Sequence, residues 1–120
     1  MTYEEIASMI ASVELPYAYD HFEVDEENPA PATPYIVFRY SPRPFFADNC
    51  NYVRIEHLIV ELRTDNKDYE TMAALEAAFL NAGLTYTQTE EFDDVEVVYV
   101  ETYEMDFVLK EETDGGDSSS

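Results

Sequence analysis

Between residues 95 and 109 the chain sets Val97, Tyr99, Tyr103, Met105, Phe107 and Leu109 on one side of a period-two pattern, with Glu96, Thr102, Glu104 and Asp106 on the other. Alternation sustained over this length places one long strand with an apolar face and a solvated face. Such a strand is not stable alone. It needs neighbours in a sheet and a further apolar layer against its buried side.

The rest of the chain supplies both. Thr2 followed by Glu5 reads as a capping box, and Ile6, Met9, Ile10 and Val13 recur at helical spacing, so a helix is expected over 3–13, ended by Pro16. Residues 17–24 are aromatic and β-prone and form a first strand, and 25–34, with three prolines and three consecutive acids, form a solvated loop. A second strand is expected over 35–40, then a loop over 41–49, then a third strand over 52–63. The apolar phase of that third strand shifts near His57, where Val53 and Ile55 give way to Leu58, Val60 and Leu62, which predicts a β-bulge or strong bend. Asp68 is placed to cap a second helix whose stripe is Met72, Leu75, Phe79 and Ala82, and Gly83 sits where a left-handed C-terminal residue belongs. Strands over 84–89 and 95–109, joined by an acidic turn over 90–94, complete the order α-β-β-β-α-β-β. Without βαβ alternation this implies an α+β fold: one mainly antiparallel sheet with two helices packed on it, a single domain over 1–109, and a disordered acidic tail over 110–120.

The charge is as informative as the pattern. Twenty-seven Asp and Glu against six Lys and Arg give 120 residues a formal charge of −21, while 46% hydrophobic residues take the chain out of the disordered class. Removing residues 110–120 takes away four acids and one base and leaves −18, so the acidity belongs to the folded part. Such a surface repels nucleic acid and anionic membranes and favours basic partners or cations; a halophilic source is another route to it. No run of about 18 apolar residues is present and the N-terminus lacks the basic start of a signal peptide, which points to a cytoplasmic protein. A single cysteine, Cys50, excludes an internal disulfide and a Cys-based zinc site, and reads as a small semi-buried residue.

Chemistry-bearing motifs are absent. His21 and His57 both fall in expected strands, and read as exposed or hydrogen-bonded strand histidines. Asp25, Glu26 and Glu27 are consecutive, without the alternating ligands and glycine of a calcium loop, and read as a solvated run. Gly83, Gly115 and Gly116 are the only glycines, so no phosphate-cradling loop can be built. No catalytic residue, metal site or cofactor is therefore expected, and the chain is not read as an enzyme. Phe45 and Phe46, beside Arg43 and stiffened by Pro42 and Pro44, read as a partner-contact patch, against the alternative of a loop folded back on the sheet.

The passages YEEIASMIASVELPYAYDHFEVDE, PAPATPYIVFRYSPRPFFADN and NYVRIEHLIVELRTDNKDYETMAALEAAFLNAGLTY resemble the small tail-completion, or tail-terminator, proteins of long-tailed phages and prophages of Gram-positive bacteria. The resemblance covers about residues 3–107; its most specific piece is ELRTDNKDYE, Glu61 to Glu70, followed by the helix and the AGLTY turn. It implies a structural role: an α+β subunit assembling as a ring, commonly a hexamer, that ends the tail tube and meets the head connector, located in the virion tail and, during assembly, in the bacterial cytoplasm. Direct nucleic-acid or membrane binding is not expected, because the acidic surface repels both. A DNA-mimic inhibitor of a DNA-binding enzyme accounts for the charge equally well, and remains the alternative from the residues alone.

Overall fold

The structure, a computed structural model, describes residues 1–22, 24–27, 31–42 and 54–110. Along the chain run α1 (Tyr3–Ala11), β1 (Tyr17–Tyr19), β2 (Tyr35–Pro42), β3 (Arg54–Thr64), α2 (Tyr69–Asn81), β4 (Thr87–Asp93) and β5 (Val98–Leu109). This is the expected α-β-β-β-α-β-β order, and the fold is α+β. Across the five-stranded sheet, however, the order is β1-β2-β3-β5-β4. β1 pairs with β2 in parallel, and the other three pairings are antiparallel.

Both helices start as the residues dictate. Thr2 Oγ1 accepts from the Glu5 amide at 3.1 Å while Glu5 Oε1 accepts from the Thr2 amide at 2.9 Å, so two orphan donors of α1 are satisfied reciprocally. Asp68 accepts from the Thr71 amide at 3.2 Å and from its hydroxyl at 2.6 Å, and these bonds to the ionised form hold its carboxyl below the usual range. α2 ends in a Schellman arrangement: Gly83 takes φ +80°, its amide donates to Leu80 O at 2.9 Å, and the Leu84 amide reaches Phe79 O at 3.0 Å. α1 stops at Ala11, short of the expected end, because the Ser12 hydroxyl donates to Met9 O at 2.6 Å and Glu14 turns to a positive φ.

One core lies between the helices and one face of the sheet. Ile6, Met9 and Ile10 of α1 and Leu75 and Phe79 of α2 pack on Ile36, Phe38, Leu58, Val60, Leu62, Tyr103, Met105 and Phe107. The two helices touch each other as well. Among the described residues, no helix packs on the opposite face of the sheet.

Several boundaries differ from the sequence-based expectation, for identifiable reasons. β1 is three residues long, because Asp20 adopts φ +71° and ends the pairing. The third strand contains no bulge: its pairing runs unbroken from Arg54↔Leu109 to Thr64↔Tyr99 on one side and from Pro42↔Glu56 to Tyr35↔Arg63 on the other. The apparent phase shift arises because Ile55 lies on the helix-free face while Glu56, 2% exposed, takes the core-facing position beside Leu58. The strand expected over 84–89 is displaced to Thr87–Asp93, so Glu90 and Glu91 belong to it and the turn falls at 94–97. Val97 sits in that turn, exposed, with φ +59°, outside the alternation expected of it. β3 and β4 both run antiparallel to β5 and are therefore parallel to each other, with α2 as the crossover and β5 inserted between them. A βαβ relation is thus present where none was expected. Lys110 belongs to the folded part, its amide donating to Met1 O at 2.8 Å; the rest of the expected tail lies outside the described residues.

Candidate interaction surface

The face opposite the helices mixes buried residues, Val37, His57, Val98 and Val100, with the charged side chains of the long strands. His57 on β3 lies between two carboxylates of β5: Nδ1 is 2.6 Å from Asp106 and Nε2 is 2.7 Å from Glu104. Register puts Asp106 directly across from His57, and Glu104 follows two residues away on the same face. Both ring nitrogens thus meet a carboxylate, and the side chain bridges the two strands.

Further along the same face Glu61 accepts from Arg39 at 3.1 Å and from Arg63 at 2.9 Å, and Arg63 also reaches Glu96 of the β4–β5 turn at 3.2 Å. Burial pulls the Arg63 guanidinium down, but the hydrogen bond and charge of Glu61 outweigh it and hold the group above its ordinary value. Beside these ion pairs is a groove of about 380 Å³ lined by His21, Phe22, Tyr35, Arg39, Glu61 and Arg63 among others. Phe22 packs edge-on against Tyr35 at 5.4 Å, which brings the segment after β1 over this face. His21 lies beyond the end of β1, not in a strand, and pairs with Asp20 at 2.9 Å.

On the helix-covered side, tyrosines gather along the short edge. Tyr40 meets Tyr3 at 4.6 Å, Tyr19 at 5.4 Å and Phe107 at 6.0 Å between ring centroids, and Tyr19 meets Phe38 at 5.5 Å. Burial, then the neighbouring Tyr19, Tyr3 and Glu56, push the Tyr40 hydroxyl well above its ordinary pKa. Tyr3, Tyr17 and Tyr19 are each about half exposed, so this cluster continues to the surface as an aromatic rim along β1.

Two acids are buried where alternation would place apolar residues. Glu56 accepts from the Tyr3 hydroxyl through Oε2, and its Oε1 has no partner. Glu101 accepts from Gln88 Nε2 at 2.9 Å through Oε1, and its Oε2 has none. Burial raises the Glu101 carboxyl, Gln88 partly offsets this, and Glu90, Lys67 and Glu76 act with smaller effect. Neighbouring Tyr103 donates to Glu76 at 2.7 Å, and burial followed by that acceptor pushes its hydroxyl far up. Parity alone could have found both acids: Glu101 lies in phase with Tyr103 and Met105, and Glu56 with Leu58 and Val60.

The contact candidates Arg43, Phe45 and Phe46, and also Cys50, lie outside the described residues. The described histidines pair each with its own acids and do not come together. Among the described residues there is no group of three or more His, Cys, Asp or Glu placed to hold a metal ion, and no helix long and apolar enough to cross a membrane. The run at 25–27 folds locally, Asp25 accepting from the Glu27 amide at 2.9 Å.

No family model matches this chain, and no curated protein matches it in sequence. Fold and surface together define the class: an acidic α+β domain with one mixed sheet, one face covered by helices and an opposite face that carries ion pairs among valines and isoleucines.

Proposed function

We propose that this chain is a structural protein of a long-tailed phage or prophage, a tail-completion subunit that assembles as a ring at the end of the tail tube and joins it to the head connector. It performs no catalysis and takes no cofactor. The observation that carries the reading is the tyrosine rim along β1, with Tyr3, Tyr17 and Tyr19 half exposed on a subunit whose charge otherwise opposes self-contact. Aromatic side chains of this kind are enriched at protein interfaces and supply large contact area at low entropic cost. The sequence resemblance supports the same role.

Like-charge repulsion sets the conditions for assembly. With −21 on 120 residues, copies associate only when salt or a basic partner screens the charge over a Debye length of about 8–10 Å. Sedimentation of the purified protein should show larger species as ionic strength rises, and co-expression with tail-tube protein should yield rings by electron microscopy. Tyr17→Ser with Tyr19→Ser should abolish the rings, as should Phe45→Ser with Phe46→Ser if that pair contributes anchors. Rings that form at very low salt and dissolve on adding salt would overturn the reading.

Duplex DNA should not bind the free protein. Arg39, Arg63 and Lys67 are each within 3.5 Å of a carboxylate, so these three described bases are already engaged by acids and poorly placed to displace counterions. The same ion pairs break up the acidic face that a DNA mimic would need. Competition with DNA for a restriction or repair enzyme would favour that alternative over the ring.

A further inference from the structure

The sheet has two edges, and they are protected very differently. β1 is three residues long and is followed by a chain reversal at Asp20, which leaves little backbone to template another strand. β4, at the other edge, runs for seven residues, from Thr87↔Glu104 to Asp93↔Val98, without a bulge or a proline. Six of its seven residues are exposed. No backbone bond joins its outer side to any other described residue. Alternate amides and carbonyls of β4 therefore face away from β5, with no backbone partner among the described residues.

The side chains along this edge state which strand could join it. Residues 87–97 contain five acids (Glu90, Glu91, Asp93, Asp94 and Glu96) and no base. Lys67 reaches Glu90 at 3.5 Å and Arg63 reaches Glu96 at 3.2 Å, but Glu91 has no ion pair among the described residues. Asp93 is used within the turn, accepting from the Val95 and Glu96 amides at 3.0 and 3.2 Å. A second copy of β4 laid along the first would set these acids against each other, and like charges facing across a ladder are destabilising. A basic strand would set cations against them. Charge alone does not account for the whole edge: Phe92 is 51% exposed, Val95 87% and Val97 62%, apolar surface that a purely repulsive guard would not carry.

We propose that the outer edge of β4 is a docking site for an extended, basic segment of a partner protein, which adds as a sixth strand. Its backbone completes the ladder, its Lys or Arg residues meet Glu91 and Asp93 on the helix-free face, and its apolar residues cover Phe92 and the Val95–Val97 tip. This edge lies across the sheet from the tyrosine rim, and the inference stands without the ring.

The test is amide hydrogen exchange on the full-length protein at about 50 mM salt, titrated with a synthetic peptide of about nine residues alternating Lys with Val or Thr, a typical strand length. The outward amides of residues 87–93 should slow by about tenfold or more. A peptide of equal charge with Pro at alternate positions should give no slowing, because it cannot form the ladder. Thr89→Lys with Glu91→Lys, both at exposed positions, should weaken the alternating peptide by about tenfold while leaving the melting temperature unchanged. Equal protection by the proline peptide, protection confined to another strand, or slowing of β4 amides with protein concentration alone would each overturn the proposal. The last outcome would make a second copy the occupant.

Discussion

Glu101 lies directly across from Leu62 in the β3–β5 ladder, on the side of the sheet covered by the helices, and both residues are almost entirely dry. One carboxylate oxygen bonds Gln88; the other has no partner. Burial favours the neutral acid, so the folded protein holds this proton more tightly than the unfolded chain does. The sign follows. The group contributes most to stability below the ordinary carboxylate pKa, and that contribution is lost as pH rises from there through the raised folded value. Glu101→Gln removes the dependence. Its gain in stability over the parent should be largest at about pH 7 and smallest near pH 4, measured by urea unfolding at each pH. Equal differences at both would show that folding does not raise the Glu101 carboxyl.

The Tyr3–Glu56 bond ties α1 to β3 at the margin of the core. Tyr3→Phe should cost about 1–3 kcal/mol, since it leaves a carboxylate that is 2% exposed without its donor. Adding Glu56→Leu should recover much of the loss, because removing both partners is far less costly than removing one. Thermal melts of the two single variants and the pair supply the cycle; strict additivity would mean that the bond carries no coupling.

His57 holds Glu104 and Asp106 at 2.7 and 2.6 Å, two acids that otherwise face each other along β5. His57→Ala should destabilise the fold by about 1–2 kcal/mol at low salt. High salt should shrink that difference, because both acids are about half exposed and their repulsion is screened. A salt-independent loss would point to packing instead of charge.

Gly83 offers a cleaner backbone test. A Cβ there would meet nothing within 4 Å, yet φ is +80°. Gly83→Ala should therefore cost about 1 kcal/mol from conformation alone, without disturbing the core. Gly83→Asn should cost less, since Asn tolerates the left-handed region. A melting-temperature series of the three proteins decides it.

Local rules made much of this fold legible. The capping box at Thr2 and Glu5, the Asp68 cap, the Gly83 stop and the alternation of residues 99–109 depend on contacts within a few positions, and these elements stand close to where those contacts place them. The element order and the α+β class follow from them. What the sequence by itself could not determine was which strands neighbour one another. β5 inserts between β3 and β4, and β1 joins β2 in parallel, because these pairings bury both helices on a single face, an energy that exists only when distant segments meet. The buried acids are a partial case. Parity within each strand puts Glu56 and Glu101 on the core side, but their partners, Tyr3 from α1 and Gln88 from β4, are brought to them only by the assembled layers. The apparent bulge at His57 was therefore an acid on the core side of an unbroken strand. The position of β4 at the edge of the described sheet is likewise a property of the sheet order: its residues are in the sequence, but its place beyond β5 is decided by where β5 goes.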